Sequence, residues 1–515
     1  MRWILRSGAK INRNAKTIEI SQQAQNANKV SLKTRVYWGL GGLADNYITS
    51  AFITLVMPVY NIALGMNAVL LGWAVCIPRF TDAVVDVWIG NISDNTRTRW
   101  GRRRPYIFVG AILSAIILPL LWIPPFKTDS AMFIYLLIVG LVYFLAYSIY
   151  VVPYTALGYE LTTDYNDRTR VLAWRMYIGL FGSFTVPWFY WLSLKIQNIL
   201  VKLPAYAKDS SGLHQVFVRI QSFMGTSTSA GAFWLSVGLG GIIIITGILP
   251  VLMCRENAQN LTQPKIHIFS AIFHTIRNRP FLILCAAYII VILGLFSAGT
   301  LGLYVNIYYV CGSKELAAKI SGINGSVGAV TSYLSLFLIM WISARSGKRN
   351  AMIIGLIFAL VGVCSSWWTL SPRWPYLQIA SYLVSCIGLQ GCWLIVSSMV
   401  ADICDEDELK TGLRREGVYG AVNGLAFKVA LALTAVAGGA LLNFSGYDPK
   451  VAESVGSVPI EIAMKMKTLL VGGQAISLVF AIIIFLFYPI TRQRSEETRR
   501  ILDKRHYEKS SQNVK

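Results

Sequence analysis

The chain has 515 residues, of which 55% are hydrophobic and only 14% charged, and its mean hydropathy is +0.54. A water-soluble protein of this length has no interior large enough for so many apolar side chains, so the composition predicts an all-α membrane protein that crosses the bilayer many times. The net charge of +22 is concentrated in short loops and tails. This distribution fits contact with anionic membrane lipids and requires no nucleic-acid partner.

Cysteine and histidine are sparse and scattered. The eight cysteines lie mostly inside apolar runs, without Cys-x-x-Cys spacing, and the chain has only four histidines. A catalytic metal centre needs several such ligands close together. We therefore expect no resident metal, no cofactor and no enzymatic activity.

Twelve apolar runs of membrane-spanning length follow a polar, basic arm at residues 1–35. The runs lie at 36–60, 67–92, 105–126, 131–158, 171–194, 231–253, 280–310, 321–343, 350–370, 376–400, 416–443 and 468–490. They form two sets of six, at 36–253 and 280–490. A linker at 254–279 joins the sets, and a charged tail follows at 491–515.

Loop charges predict the orientation of the chain. Loops after the even-numbered runs are rich in Arg and Lys, above all between Arg97 and Arg104, whereas loops after the odd-numbered runs carry few. By the positive-inside rule the protein lies in the cytoplasmic membrane with both termini in the cytoplasm. Segment 195–230 is then one long outer loop, and its basic residues are the main exception to the pattern.

Two pairs of similar segments lie half a chain apart. Segment 100–110 (WGRRRPYIFVG) resembles 346–355 (SGKRNAMIIG), and the charged segment 160–170 resembles 405–415. These similarities predict two parallel, pseudo-symmetric six-helix halves within a monomer. Such halves place a solute site at their interface near the middle of the membrane.

Three charged residues lie inside the second apolar run. Asp82 and Asp86 are four residues apart, and Arg79 precedes them by one turn, so all three project to one helix face. A charge at mid-bilayer costs roughly 2.5–3.5 kcal/mol on translocon scales, so these side chains must face protein or a water-filled cavity. Either Arg79 neutralises a carboxylate as structural glue, or the remaining carboxylate forms a site for Na⁺ or H⁺ in a transport pathway. We favour the cation site.

Polar residues also interrupt the first and fourth runs. Asp45 and Asn46 follow a glycine-rich stretch that allows close helix packing, and we expect both to face the same interior as Asp82. Pro153 is expected to break the fourth run. Tyr150 and Tyr154 beside it then become candidates for lining a solute cavity.

Two basic residues also lie inside apolar runs and must therefore face protein or a water-filled cavity. Arg175 lies in the fifth run and Lys428 in the eleventh, and neither has a carboxylate nearby in the sequence. Each needs an acidic partner in space, and the aspartates of the first two runs lie at a suitable depth.

Two charged segments are candidates for an inner gate. One surrounds the arginine-rich loop after the second run. The other closes the tenth run with acidic residues followed by basic ones, so it can both fold on itself and pair with the first. The alternative is that both are merely solvated hinges. The candidate gating residues are Gly90, Asp94, Arg97, Arg102, Arg103, Asp402, Asp405, Arg414 and Arg415.

These motifs together resemble the glycoside–pentoside–hexuronide:cation symporters, the melibiose-permease-like branch of the major facilitator superfamily. The resemblance spans about residues 37–488. It is carried by DAVVD at 82–86, GRRRP at 101–105, VPYTAL at 152–157, DRTR at 167–170 and DICDEDELKTGLRREG at 402–417. It implies that Asp82 and Asp86 bind the coupling Na⁺, Li⁺ or H⁺. It also implies that Lys428, Asn423 and Arg175 lie by the solute.

The resemblance implies a cation-coupled symporter of a glycoside, an oligosaccharide or a related small solute. Two alternatives stay open. The first is an uncoupled facilitator or sensor, in which the two carboxylates only hold helices together. The second is a transporter of a non-sugar solute such as a lysolipid.

Overall fold

A computed structural model describes residues 30–126, 128–162, 165–202, 228–254, 275, 277–412 and 415–512. Most of the predicted basic arm and of the linker at 254–279 lies outside this part of the chain. Ten helices in it are long and apolar enough to cross a membrane. Arg104–Leu120 and the helical segments between Tyr165 and Lys202 supply two further crossings, which gives the predicted twelve.

The helices are labelled in chain order. They are α1 Leu32–Val56, α2 Ala68–Asn95, α3 Arg104–Leu120, α4 Asp129–Glu160, α5 Tyr165–Thr185, α6 Phe189–Lys202, α7 Thr228–Met253, α8 Arg279–Val305, α9 Lys314–Ser346, α10 Lys348–Thr369, α11 Gln378–Thr411, α12 Glu416–Phe444, α13 Pro449–Val455, α14 Ile460–Leu486 and α15 Arg492–Gln512.

Two hydrophobic cores correspond to the two predicted halves. The N-terminal core is built from α1–α7 and the C-terminal core mainly from α8–α14. The halves meet through two equivalent helix pairs, α2 with α12 and α5 with α9. The first helix of each half also ends in the same way, because α1 passes into a π-helix at Met57–Ala63 and α8 into one at Asn306–Cys311. The predicted pseudo-symmetry is therefore confirmed.

The two ends of the bundle differ in how closely the halves approach. The basic end carries the connections at 96–103 and 412–415, and the opposite end carries those at 64–67 and 445–448. Toward the opposite end, a Cβ atom added at Gly72 of α2 would lie 2.6 Å from the Ala435 carbonyl oxygen of α12, and one at Gly439 would lie 2.2 Å from that of Ala68. Only glycine permits this approach.

Toward the basic end the same helices have separated. A Cβ atom at Gly420 or Gly424 of α12 would have no described neighbour within 4 Å. The structure is thus closed between the halves at the opposite end and open at the basic end.

Four local expectations change. Helix α4 runs unbroken through Pro153, so that residue frees no stretch of backbone. The fifth run is interrupted instead at Val186–Trp188, around Pro187. Helix α6 continues to Lys202, so the predicted outer loop begins later than residue 195, and 203–227 lie outside the described residues. The charged tail contains a helix, α15.

Helix α15 packs on the C-terminal half at the basic end. The Arg494 Nη2 atom donates to Glu406 Oε1 of α11 at 2.5 Å, and Arg492 Nη1 donates to the Ala344 carbonyl oxygen of α9 at 2.8 Å. The tail is therefore attached to the bundle by charged contacts.

Candidate functional site

Lys428 lies between the two carboxylates of the second span. Its Nζ donates to Asp82 Oδ2 at 2.9 Å and also to Asp86 Oδ2. Asp82 is almost fully buried, whereas the Asp86 and Lys428 side chains are 23% and 35% exposed. Because the carboxylates stand on α2 and the ammonium on α12, this ion-pair triad joins the two halves.

The two carboxylates of the triad differ in how many of their oxygens accept a hydrogen bond. The Ser148 hydroxyl of α4 donates to Asp82 Oδ1 at 2.6 Å, so both oxygens of that carboxylate are engaged. Asp86 Oδ1 is buried and has no hydrogen-bond partner among the described residues. Asp86 thus keeps one acceptor that a cation or a hydroxyl group can satisfy.

Arg79 does not take the position predicted for it as glue. Its guanidinium lies 5.5 Å from the centre of the Phe144 ring, and its Nε is buried without a described partner. Lys428 occupies the carboxylates instead. Arg79 still lies one helical turn before Asp82, so the two carboxylates and the two basic side chains of this region carry no net charge before any coupling ion enters.

A second ion pair forms beside the first within the N-terminal half. Arg175 of α5 donates to Asp45 Oδ2 of α1 at 2.7 Å, and the Tyr147 hydroxyl of α4 donates to Asp45 Oδ1 at 2.9 Å. The guanidinium of Arg175 also lies 5.9 Å and 5.3 Å from the ring centres of Trp38 and Tyr154. Both charged side chains are partly exposed, so this pair borders open space.

Tyr147 and Ser148 were not predicted as site residues. Their hydroxyls connect the two ion pairs, since one holds Asp45 and the other Asp82. Hydroxyl groups in spans commonly bond to a carbonyl of their own helix, so the sequence alone gives little reason to select these two. The only signal is their place one turn before the VPYTAL motif.

Tyr150 and Tyr154 lie elsewhere than expected. Both are fully buried in the N-terminal core and stack on each other at 5.5 Å. Their hydroxyls donate to backbone carbonyls of α1, from Tyr150 to Gly41 at 2.7 Å and from Tyr154 to Trp38 at 2.8 Å. With both hydroxyls engaged, these residues fix α4 against α1 and are not part of the solute site proposed below.

The two predicted asparagines remain candidates. Asn46 adjoins Asp45 on α1 and packs close to α5, where a Cβ atom at Gly182 would lie 2.9 Å from Asn46 Oδ1. Asn423 lies on α12 between Lys428 and the basic end, and its Oδ1 is buried without a described partner. Asn423 can therefore donate to or accept from a solute that enters between the halves.

The predicted gating residues lie at the basic end but pair differently from the expectation. Arg103 binds Asp94 at 2.6 Å and Glu160 at 3.0 Å, and Arg102 binds the same glutamate. Asp402 binds Lys348 at 2.7 Å. These described ion pairs each join residues of the same half, because the halves are apart at this end. Pairing across the two segments stays a prediction for a state in which the halves meet here.

The other described gating candidates lie at the same end of the bundle. Arg97 is exposed, Asp405 lies in the last turns of α11, and Arg415 precedes α12. A Cβ atom at Gly90 of α2 would meet only Val152, at 3.5 Å. Arg414 lies outside the described residues.

The comparisons with known proteins agree with this architecture. The family model of MFS/sugar transport proteins matches residues 37–492. An uncharacterized symporter of Synechocystis sp. is 24% identical over 94% of this chain and 98% of its own length, and the isoprimeverose transporter of Lactiplantibacillus pentosus is 25% identical over 83% of each.

A solved structure shows the same fold. A bacterial homolog of the human lysosomal transporter Spinster, in an inward-facing and unoccupied conformation, superposes with a TM-score of 0.61 at 16% identity, covering 92% of this chain and 99% of that one. The family match confirms the resemblance inferred from the motifs and identifies a multi-pass membrane transporter, not an enzyme. The chain belongs to the MFS/sugar transport protein family.

Proposed function

We propose that this protein is a cation-coupled symporter of a neutral or weakly charged glycoside, oligosaccharide or related small solute. Na⁺ or H⁺ binds at Asp82 and Asp86 and drives alternating access between the two halves. The protein works as a monomer in the cytoplasmic membrane, with both termini and the basic end in the cytoplasm. The family match and the relatives named for symport and for a sugar support this reading.

The observation that carries the proposal is the position of Lys428 between two carboxylates of the other half. The four charges of Arg79, Asp82, Asp86 and Lys428 already balance, so an added cation that stays beside Lys428 would leave an excess positive charge in a low-dielectric site. A coupling cation must therefore replace the ammonium at the carboxylates. The Ser148 hydroxyl and the free Asp86 oxygen supply further ligands of the type that Na⁺ accepts.

Displacement of Lys428 links the cation to the solute. Once released, its ammonium can donate to oxygens of a solute held between Asn423 on α12 and the Asp45–Arg175 pair, beside Asn46. The cation then raises solute affinity, and the solute raises cation affinity by the same factor. Loss of the ion pair between α2 and α12 also frees the halves to move relative to each other.

Alternating access follows from the two ends. The structure has the opposite end closed, so with the basic end in the cytoplasm it represents an inward-open state. In the outward-open state the basic end closes, and we propose that the gating residues around 90–103 and 402–415 then approach each other. A bulky residue at Gly90 is expected to slow transport while leaving solute binding nearly intact.

The test compares Asp82→Asn with wild type in proteoliposomes. Accumulation of radiolabelled isoprimeverose and of a panel of glycosides is measured with Na⁺ and pH gradients imposed separately, alongside equilibrium exchange without a gradient. We expect Asp82→Asn to lose gradient-driven accumulation and to keep exchange. Asp129→Asn is the matched control, because Asp129 pairs at 3.5 Å with an exposed lysine at the opposite end. Full accumulation by folded Asp82→Asn contradicts the proposal.

The same ion pair also favours one alternative, an uncoupled facilitator in which Lys428 permanently neutralises the carboxylates. Removing one partner of a buried ion pair typically costs about 3–5 kcal/mol. The alternative therefore predicts that Asp82→Asn lowers the melting temperature and the yield of folded protein, and that wild type equilibrates a solute without accumulating it under either gradient.

A further inference from the structure

A separate polar cavity lies inside the C-terminal half, toward the opposite end of the bundle. Its volume is about 390 Å³, and its walls come from α8, α9, α10, α11 and α14, with Pro187 of the N-terminal half at one side. None of the residues considered for the cation or solute site lines it. The volume falls within the range of small-molecule sites and is small for a lipid.

The cavity is lined by amides and hydroxyls without a charged side chain. The polar lining residues are Asn306, Ser321, Asn324, Ser366, Gln378, Ser381, Tyr382, Ser385 and Gln474, and the aliphatic ones are Leu303, Val363, Leu370 and Leu470. Aspartate–lysine and aspartate–arginine pairs dominate the other site, so the two sites differ in chemistry as well as in place. A ligand of this cavity is neutral and carries hydroxyl groups, because the lining offers neutral donors and acceptors beside apolar side chains and has no charge to pair with an ion.

Two amide oxygens in this cavity have no described hydrogen-bond partner. Asn306 is only 6% exposed, and its Oδ1 is unpartnered. Asn324 Oδ1 is likewise unpartnered, while its Nδ2 makes one long contact of 3.4 Å to Gln378 Oε1. Buried amides are nearly always hydrogen-bonded, so these oxygens indicate a group that the cavity is built to receive.

The N-terminal half contains a buried asparagine in the corresponding π-helix whose hydrogen bonds are satisfied within the protein. Asn61 lies in the π-helix that ends α1, as Asn306 lies in the π-helix that ends α8. Asn61 is fully satisfied, since its Nδ2 donates to the Met66 carbonyl oxygen at 2.7 Å and its Oδ1 accepts from Tyr304 at 2.6 Å. Asn61 is the fifth residue of its π-helix and Asn306 the first of its own, so the two are not equivalent positions. The comparison shows that a buried asparagine at this end can be fully satisfied, whereas Asn306 keeps an unpartnered amide oxygen among the described residues.

We propose that this cavity is a second binding site, specific for a neutral polyhydroxylated molecule of about monosaccharide size, with Asn306 and Asn324 as its principal hydrogen-bonding residues. The site is independent of the Asp82–Asp86 carboxylates. Because Pro187 of the N-terminal half lines the cavity, an occupant contacts both halves near the opposite end. Occupancy therefore stabilises the state in which the opposite end is closed.

The test uses saturation-transfer difference NMR, which detects ligands that bind in the micromolar to millimolar range, on purified full-length protein. The probes are D-xylose, D-glucose, D-sorbitol and sucrose. Gly302→Leu is expected to fill the cavity, because Gly302 lines it and a Cβ atom added there has no described neighbour within 4 Å. Gly241→Leu is the matched control, since Gly241 is equally open on α7, away from the cavity.

We expect at least one probe to give a saturation-transfer signal that falls five-fold or more in Asn306→Leu and in Gly302→Leu and is unchanged in Gly241→Leu. The same signal should persist in Asn423→Ala, because Asn423 belongs to the proposed solute site and does not line this cavity. That variant separates the two sites and leaves the transport proposal to its own test. Melting temperatures confirm that each variant is folded. The proposal is overturned if no probe gives a signal that depends on Asn306 and Gly302, an outcome that would mean the cavity holds only water.

Discussion

Tyr147 and Ser148 are consecutive residues of α4, yet their hydroxyls donate to carboxylates on two different helices. Tyr147 holds Asp45 of α1, and Ser148 holds Asp82 of α2. Side chains one residue apart on a helix point about 100° apart, so α4 stands where α1 and α2 can each be reached. A shift of α4 therefore acts on both ion pairs together.

Removing the Ser148 hydroxyl should weaken the proposed cation site. Hydrogen bonds to charged groups contribute about 1.5–3 kcal/mol, so Ser148→Ala is expected to lower the apparent affinity for the coupling cation roughly 10-fold or more. The measurement is the cation concentration that gives half-maximal uptake of a transported glycoside. Ser183→Ala serves as the control, because its hydroxyl bonds only to the Gly179 carbonyl oxygen of its own helix. An unchanged half-maximal concentration in Ser148→Ala would remove Ser148 from the site.

The variant Tyr147→Phe should act on the other ion pair. It leaves the aromatic ring and removes the donor to Asp45, so Arg175 becomes the main described partner of that carboxylate. We expect solute affinity to fall several-fold with little change in the cation concentration for half-maximal uptake. Equal losses in both quantities would show that the two ion pairs act as one unit.

Lys428→Gln tests whether the ammonium competes with the cation. Without Lys428 the two carboxylates repel each other. A cation that binds them relieves this repulsion in place of the ammonium and so stabilises the folded protein. The melting temperature should then rise more steeply with NaCl, or with falling pH for a proton-coupled protein, than in wild type. At constant ionic strength, choline chloride replaces NaCl, and Lys195→Gln, which loses an ion pair with Glu315 at the opposite end, is the control. A folded Lys428→Gln protein that responds to neither Na⁺ nor pH rules out competition.

The sequence predicts which residues are buried charges, and it predicts that Arg175 and Lys428 bind aspartates of the first two spans, as they do. It does not predict which base binds which acid. Asp82, Asp86, Arg175 and Lys428 were selected because each is costly in lipid. Which base meets which acid depends on how α5 and α12 are rotated, and the sequence does not fix that. In the structure Lys428 binds Asp82 and Asp86, a contact that the sequence had led us to expect of Arg79.

The pairing predicted between the two charged segments depends on conformation. The sequence identifies Arg103 and Asp402 as complementary charges, but the structure shows the state in which the halves are apart at the basic end, and each binds a neighbour in its own half. The prediction that Tyr150 and Tyr154 line a solute cavity fails for a different reason. Pro153 does not break α4, so Tyr150 and Tyr154 stay in a regular helix whose face is buried.

Tyr304→Phe should shift the balance between the two conformations. The Tyr304 hydroxyl of α8 donates to Asn61 across the halves at the closed end, where both are buried. Breaking this bond leaves an unpaired buried amide oxygen in the closed state, a cost of about 1–3 kcal/mol that the open state does not bear. Spin labels at Thr128→Cys and Arg373→Cys, one in each half at this end, should show a larger fraction of long distances. Tyr309→Phe is the control, and an unchanged distance distribution in Tyr304→Phe contradicts a gating role for this bond.

The orientation of the bundle can be tested with cysteines at exposed positions of opposite ends, Arg99→Cys at the basic end and Arg373→Cys at the other. The parent protein carries Cys364→Ser, because Cys364 is exposed. Cys254 can stay, since burial raises the pKa of its thiol to about 12, an increase that Arg104 partly opposes, and a protonated thiol reacts slowly at neutral pH. Because positive loops remain in the cytoplasm, we expect a membrane-impermeant maleimide added to whole cells to label Arg373→Cys, and to label Arg99→Cys only after the cells are permeabilised. Labelling of Arg99→Cys alone in intact cells would reverse the proposed orientation, and the structure would then be outward-open.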